Sequence, residues 1–211
     1  MITFQIAGIP VRIELWFWIT LFVLGGGIHI TGTRDLIFTG LFMLAGFISI
    51  FVHELGHAMT VKRFGLPSAI RLVAFGGLAT YPAGTLNRRQ TFLVSAAGPG
   101  VQMVLGIIAV VTNRYLPMPD QSLLQVLLFY LTWISFIWAG FNCMPIFPLD
   151  GGQMLATVLG ERRQRVLYVT GMVFAAGLGV LAFLYLGSWV LPLFMAYFVW
   201  INWQGFQKAA R

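Results

Sequence analysis

The chain has 211 residues, 59% of them hydrophobic and only 9% charged, with a mean hydropathy of +0.86. Soluble domains carry about 25% charge, so this sequence cannot dress a water-facing surface. Disorder is excluded as well, because it needs low hydrophobicity and high charge. The single cysteine, Cys143, excludes an internal disulfide framework and a multi-cysteine metal site. What remains is a polytopic membrane protein, with room for about six spans of roughly 20 residues each.

In chain order, the alternation over Ile2–Ile13 suits a strand at the membrane edge. The apolar run at residues 15–30 reads as a retained first span, since no typical signal-peptide cleavage site follows it. Gly25, Gly26 and Gly27 within it suit close helix packing, or else a flexible gate. The second span, residues 36–61, carries His53, Glu54 and His57 and ends at Lys62-Arg63. Residues 66–81, punctuated by Pro67, Gly76 and Gly77, are too short and broken to cross a bilayer and predict a small β-hairpin. The third span covers residues 91–112, with Gly98-Pro99 near its start. The fourth covers residues 121–143 and runs into Asn142-Cys143-Met144-Pro145-Ile146-Phe147-Pro148-Leu149-Asp150-Gly151-Gly152, where prolines and glycines must break or bend the helix. Residues 166–186 and 189–205 form the last two spans, joined by a tight turn at Gly187-Ser188. The expected fold is therefore an all-α polytopic membrane protein of about six transmembrane helices with a small membrane-associated β-hairpin, a single domain over residues 1–211.

The net charge of +7 could suggest nucleic acid. Its placement argues otherwise. Six spans put both termini on one side, and that side holds 11 of the 13 basic residues, leaving only Arg34 and Arg114 opposite. Basic residues mark the cytoplasmic face, so both termini are expected there and the basic pI is accounted for by the bilayer.

His53-Glu54-Leu55-Gly56-His57 is an HExxH sequence. On a helix the two histidines share one face, where neutral imidazoles can hold one Zn²⁺ with the intervening glutamate as general base. With three histidines in the chain, a chance match is rarer than about one in a thousand. Ionisable groups inside spans are costly and usually functional, which disfavours a merely packed histidine pair. A catalytic zinc needs a third protein ligand. His29 lies near the other end of the first span, and most acids sit at loop borders among other charges. Asp150 alone occupies an apolar, proline-glycine segment with no adjacent base. Its alternative role is a helix cap; Cys143 is the alternative ligand. The second and fourth spans run in the same direction, and His53 precedes Lys62 by nine residues, about 13 Å along a helix. That depth puts the site inside the cytoplasmic half of the membrane.

HELGH on a membrane helix, followed some 90 residues later by N-x-x-P-x-x-P-L-D-G-G, resembles the site-2 protease family of intramembrane zinc metalloproteases. The Gly76-Gly77 and Ala97-Gly98-Pro99 segments are similar to that family too. The resemblance implies His53, His57 and Asp150 as ligands to one Zn²⁺ per chain and Glu54 as the catalytic carboxylate. It implies substrate handling by Asn142, Gly76 and Gly77; as a residue, Asn142 also suits a helix C-cap. Implied partners are transmembrane-protein or signal-peptide substrates and the lipid bilayer, with no nucleic acid, and the implied location is a prokaryotic cell (inner) membrane. Two departures stand out. Many members carry Asn where this chain has Gln102, and many add a PDZ or CBS domain that does not fit in 211 residues, so regulation of that kind is expected to be absent. The chemistry so implied is peptide-bond hydrolysis. The unwound substrate segment would add as a strand to the hairpin at residues 66–81, unless that hairpin is only a plug over the site. A zinc transporter or sensor is the rival from another class. It predicts ligands spread through the membrane depth, whereas these cluster at one level.

Overall fold

A computed structural model describes residues 1–117, 119, 122–187 and 189–209. Gln121, the first residue of the expected fourth span, Ser188 of the expected turn and Arg211 of the charge count lie outside the described residues. The chain divides into two compact units, Met1–Thr85 with Ala97–Gly140, and Leu86–Ala96 with Phe141–Arg211.

The first unit opens with strands β1 (Ile2–Ile6) and β2 (Ile9–Ile13). Ala7 and Gly8 both have positive φ, the geometry of a two-residue hairpin turn whose twist matches its strands. Helix α1 (Leu15–Leu24) and helix α2 (Thr33–Arg63) follow, then β3 (Ala69–Val73) and β4 (Gly76–Thr80). The strands form one sheet in the order β1-β2-β3-β4. Antiparallel pairs flank a parallel β2–β3 pairing that sets Val11 beside Ile70. The predicted hairpin is thus half of a four-stranded sheet. Burial alternates along β2, and Ile9, Val11 and Ile13 join Ile70 and Leu72 in a core with Phe17, Leu21, Ile50 and Ala58 of α1 and α2. A period of two puts every second side chain on that face, which is why the alternation was visible in the sequence.

The expected first span, residues 15–30, is α-helical only over the 10 residues of α1. At 1.5 Å per residue α1 is about 15 Å long, half of a hydrocarbon core. Gly25–Gly27 end it. Gly26 takes the left-handed conformation at φ 86° before a short 3-10 turn, Gly27–His29. Glycine adopts that conformation without steric cost, so the triplet is a helix terminator here.

Helices α3 (Arg88–Tyr115) and α4 (Leu123–Asn142) each contribute most of their length to the first unit. Ala45 of α2, Ala109 of α3 and Leu128 and Leu131 of α4 form a second apolar cluster there. Lipid offers helices no hydrophobic drive to associate, so close packing and interhelical hydrogen bonds must hold them. Ser49 Oγ of α2 and Ser135 Oγ of α4, 3.0 Å apart and buried, make one such bond, worth about 0.6 kcal/mol on average for this class.

The second unit contains α5 (Asp150–Leu159), a 3-10 turn at Glu161–Arg163, α6 (Gln164–Leu186) and α7 (Val190–Lys208). Its core is Ile146, Ala175, Met195 and Phe198.

Among the described residues, four helical segments are long and apolar enough to cross a membrane: Thr33–Arg63, Arg88–Tyr115, Leu123–Asn142 and Glu161–Tyr185. Helix α7 is not among them, its second half carrying Asn202, Gln204 and Gln207. Ile107, Ile108, Trp133, Ile137, Val173 and Leu184 are exposed on the long helices. Apolar side chains on that scale belong against lipid, and the chain is an integral membrane protein.

Candidate metal centre

Helix α2 carries 31 residues without a proline. His53 and His57 therefore fall one turn apart on one face. Both are buried, as is Glu54 between them in sequence. The imidazoles meet edge to face, 4.7 Å between centroids, with their Nε2 atoms 3.1 Å apart. Two nitrogens bound to one tetrahedral zinc at 2.0–2.1 Å stand about 3.3 Å from each other. The histidine pair therefore fits a single metal ion without rearrangement.

Among the described residues, His53, His57 and Asp150 form a group whose three ligand atoms lie within 4.8 Å of one another. Two imidazoles and one carboxylate form a donor set that suits zinc. Cys143 is exposed and outside this group. His29 sits in the 3-10 turn that follows α1.

Asp150 is the first residue of α5, whose N-cap is Leu149. It is not the cap that its position before two glycines allowed, and those glycines open a helix rather than break one. The break lies just before, where Met144 N–H donates to Phe141 O and Leu149 N–H donates to Ile146 O at 3.1 and 2.8 Å. A Cβ on Gly151 would lie 2.1 Å from the Cys143 carbonyl oxygen, and one on Gly152 would lie 2.5 Å from that of Ile146. The two glycines let α5 start directly against this loop. Asn202 of α7 holds the loop from behind, its Nδ2 donating to Phe147 O at 2.7 Å and to Phe198 O at 2.8 Å. At the far end of α5, Arg88 donates to the Thr157 and Val158 carbonyls, which a helix C-terminus leaves unsatisfied.

On α3, Gln102 is fully buried. Its Oε1 lies 2.9 Å from Nδ1 of His53, and its Nε2 donates to Ser49 Oγ at 2.8 Å. The sequence singled out this position only as a departure from a family pattern. The signal that could have found Ser49, Gln102 and Ser135 is the presence of polar side chains in otherwise apolar runs, where each needs a partner.

Of the predicted substrate residues, Asn142 ends α4. Gly76 has φ +139°, and a Cβ there would lie 3.0 Å from the Trp138 ring. A Cβ on Gly77 would fall 2.2 Å from Cγ of Glu54 and 2.6 Å from its Oε1. The Glu54 carboxylate thus lies directly under β4, a contact that admits only glycine.

Residues 117–186 match the sequence profile of peptidase family M50. A zinc metalloprotease of Methanocaldococcus jannaschii is 28% identical over 160 residues, covering 75% of this chain and 45% of the relative. A protein of Synechocystis sp. is 33% identical over 174 residues, covering 77% of this chain and 44% of its own length. The chain thus spans less than half the length of either relative. The solved structure of a site-2 protease from Methanocaldococcus jannaschii superposes with a TM-score of 0.67 at 24% identity, covering 97% of this chain and 94% of that one. At that identity the likeness is one of fold.

Proposed function

We propose that the chain is an intramembrane zinc metalloprotease of the site-2 protease family of M50 peptidases. It hydrolyses a peptide bond in or near the transmembrane segment of membrane-protein substrates, signal peptides included. The observation that carries this reading is the pair of buried Nε2 atoms 3.1 Å apart on α2, with a buried glutamate between the two histidines in sequence.

In this proposal His53, His57 and Asp150 hold one Zn²⁺. Zinc supplies Lewis acidity, which brings the pKa of water to about 7 and polarises a carbonyl. Glu54 takes the proton of the attacking water and later gives it to the leaving amine. Burial of Glu54 keeps bulk water from competing for that proton. Asn142 donates its amide N–H to the developing oxyanion or to the substrate backbone.

A substrate helix hides its carbonyls in its own hydrogen bonds, so it must unwind before attack. Strand β4 is the end strand of the sheet order, so one of its sides carries no paired strand of this sheet. An unwound segment adding there satisfies its freed backbone groups, and the contact of Gly77 with Glu54 brings that strand to the catalytic carboxylate. The same proposal takes residues 1–211 as one catalytic domain. It takes α1 together with the 3-10 turn that follows it as one membrane segment and α7 as another, which with the four long apolar segments make a six-span topology with both termini cytoplasmic. Cleavage then falls in the cytoplasmic half of the substrate span.

The test is cleavage of a model membrane substrate by the parent protein and by Glu54→Gln, with zinc content measured in both. The expected result is zinc in both and cleavage only by the parent. Cleavage surviving in Glu54→Gln would remove the protein from this mechanistic class.

A further inference from the structure

Four buried polar side chains from three helices form a continuous chain of hydrogen bonds: Ser135 of α4, Ser49 of α2, Gln102 of α3 and His53 of α2. All four lie within the first unit, and all are at most 2% exposed. Such a network is favourable only when each member finds a partner.

The network has a direction. Gln102 Nε2 donates to Ser49, to its Oγ at 2.8 Å and to its carbonyl oxygen at 3.4 Å. The carboxamide is thereby oriented with its oxygen toward His53. An amide oxygen only accepts, so the nitrogen that it faces, Nδ1 of His53, must carry the proton. The proton on Nδ1 leaves Nε2 with its lone pair, and Nε2 is the atom that faces His57 at 3.1 Å.

Resting on the zinc-site reading above, we propose that Gln102 is a positioning residue: through Ser49 and Ser135 it locks the tautomer and ring orientation of His53 that a metal ion requires. An imidazole ligand is ordinarily fixed through its other nitrogen by a carboxylate or a carbonyl oxygen. Here a neutral carboxamide does this. It adds no negative charge at a depth where an unpaired carboxylate would be costly. Three helices each contribute a group, so the state of the ring is tied to their packing.

The test uses the full-length protein in detergent, with zinc affinity from chelator competition and with ¹⁵N-histidine spectra of the metal-free form. Only three histidines contribute, and His53→Ala assigns the resonance. Gln102→Met keeps length and bulk but replaces the amide with a thioether, which accepts only weakly and cannot donate. It is expected to lower zinc affinity about 10- to 100-fold, as loss of such a partner does, and to convert a single Nδ1–H tautomer of His53 into a mixture. Affinity within twofold of the parent would overturn the proposal. So would weakened affinity with an unchanged tautomer, which would show Gln102 to be packing alone. Should Gln102→Met not fold, Ser49→Ala decides. It removes the shorter of the two bonds that orient the carboxamide, leaving only the 3.4 Å contact to the Ser49 carbonyl, and is expected to mix the tautomers; an unchanged spectrum would overturn the proposal. Zinc retained at full affinity by His53→Ala would instead overturn the metal-site reading itself, a separate outcome.

Discussion

Gly98 of α3 lies so close to His57 of α2 that a Cβ on it would sit 2.2 Å from the ring Nε2. At the adjacent position of α2, a Cβ on Gly56 would meet the Ala97 carbonyl oxygen at 2.7 Å. Gly98→Ala is therefore expected to displace the His57 ring and reduce bound zinc, and overpacking of this kind costs about 1–3 kcal/mol. Gly100 on the same helix has nothing within 4 Å of its Cβ position, so Gly100→Ala should leave zinc unchanged and raise stability by about 0.5–1 kcal/mol. Zinc stoichiometry and denaturation of the two variants, side by side, check the contrast.

Asp150→Ala removes one of the three atoms that lie within 4.8 Å of one another. Elemental analysis should find zinc strongly reduced, with the helical content of the protein retained. Undiminished zinc would remove Asp150 from the ligand set. Chelation of the parent protein should abolish cleavage, and added zinc should restore it.

Gly77 lies against the Glu54 carboxylate, so Gly77→Ala should push that carboxylate aside. The expected outcome is a fall in kcat of at least about tenfold, corresponding to about 1.4 kcal/mol, with zinc content unchanged. A rise in KM at constant kcat would assign Gly77 to substrate contact alone.

Asn202→Leu deletes the donor to the Phe147 carbonyl, in the loop that leads to Asp150. A buried acceptor left unsatisfied costs about 1–3 kcal/mol. The variant should unfold at lower temperature and bind zinc more weakly, although residue 202 lies far along the chain from every proposed ligand. Thermal unfolding with and without zinc measures both effects.

Reporters fused after residue 211 and within residues 114–120 should report opposite sides of the membrane, from the division of 11 basic residues against two. Reports from the same side would break the six-span topology.

His53, Glu54 and His57 were legible in the sequence because a helix converts a spacing of four into a shared face, and that conversion needs no tertiary contact. Asp150 was legible for a different reason: in so apolar a chain, an acid away from basic neighbours is conspicuous. The long apolar runs of α2, α3, α4 and α6 announced themselves by length and composition, and the alternation of β2 by its period. Other features depended on groups far apart in the chain. The parallel pairing of β2 with β3 joins residues nearly 60 apart, so local pattern predicted a hairpin where the fold has a four-stranded sheet. The end of α1 at Gly25 was hidden because glycine within an apolar run reads equally as a packing surface or a terminator, and only the backbone φ distinguishes them. Ser49, Gln102 and Ser135 lie on three different helices, and no spacing rule links them. Their roles come from helix packing, which excludes water and leaves each polar group only its neighbours as partners.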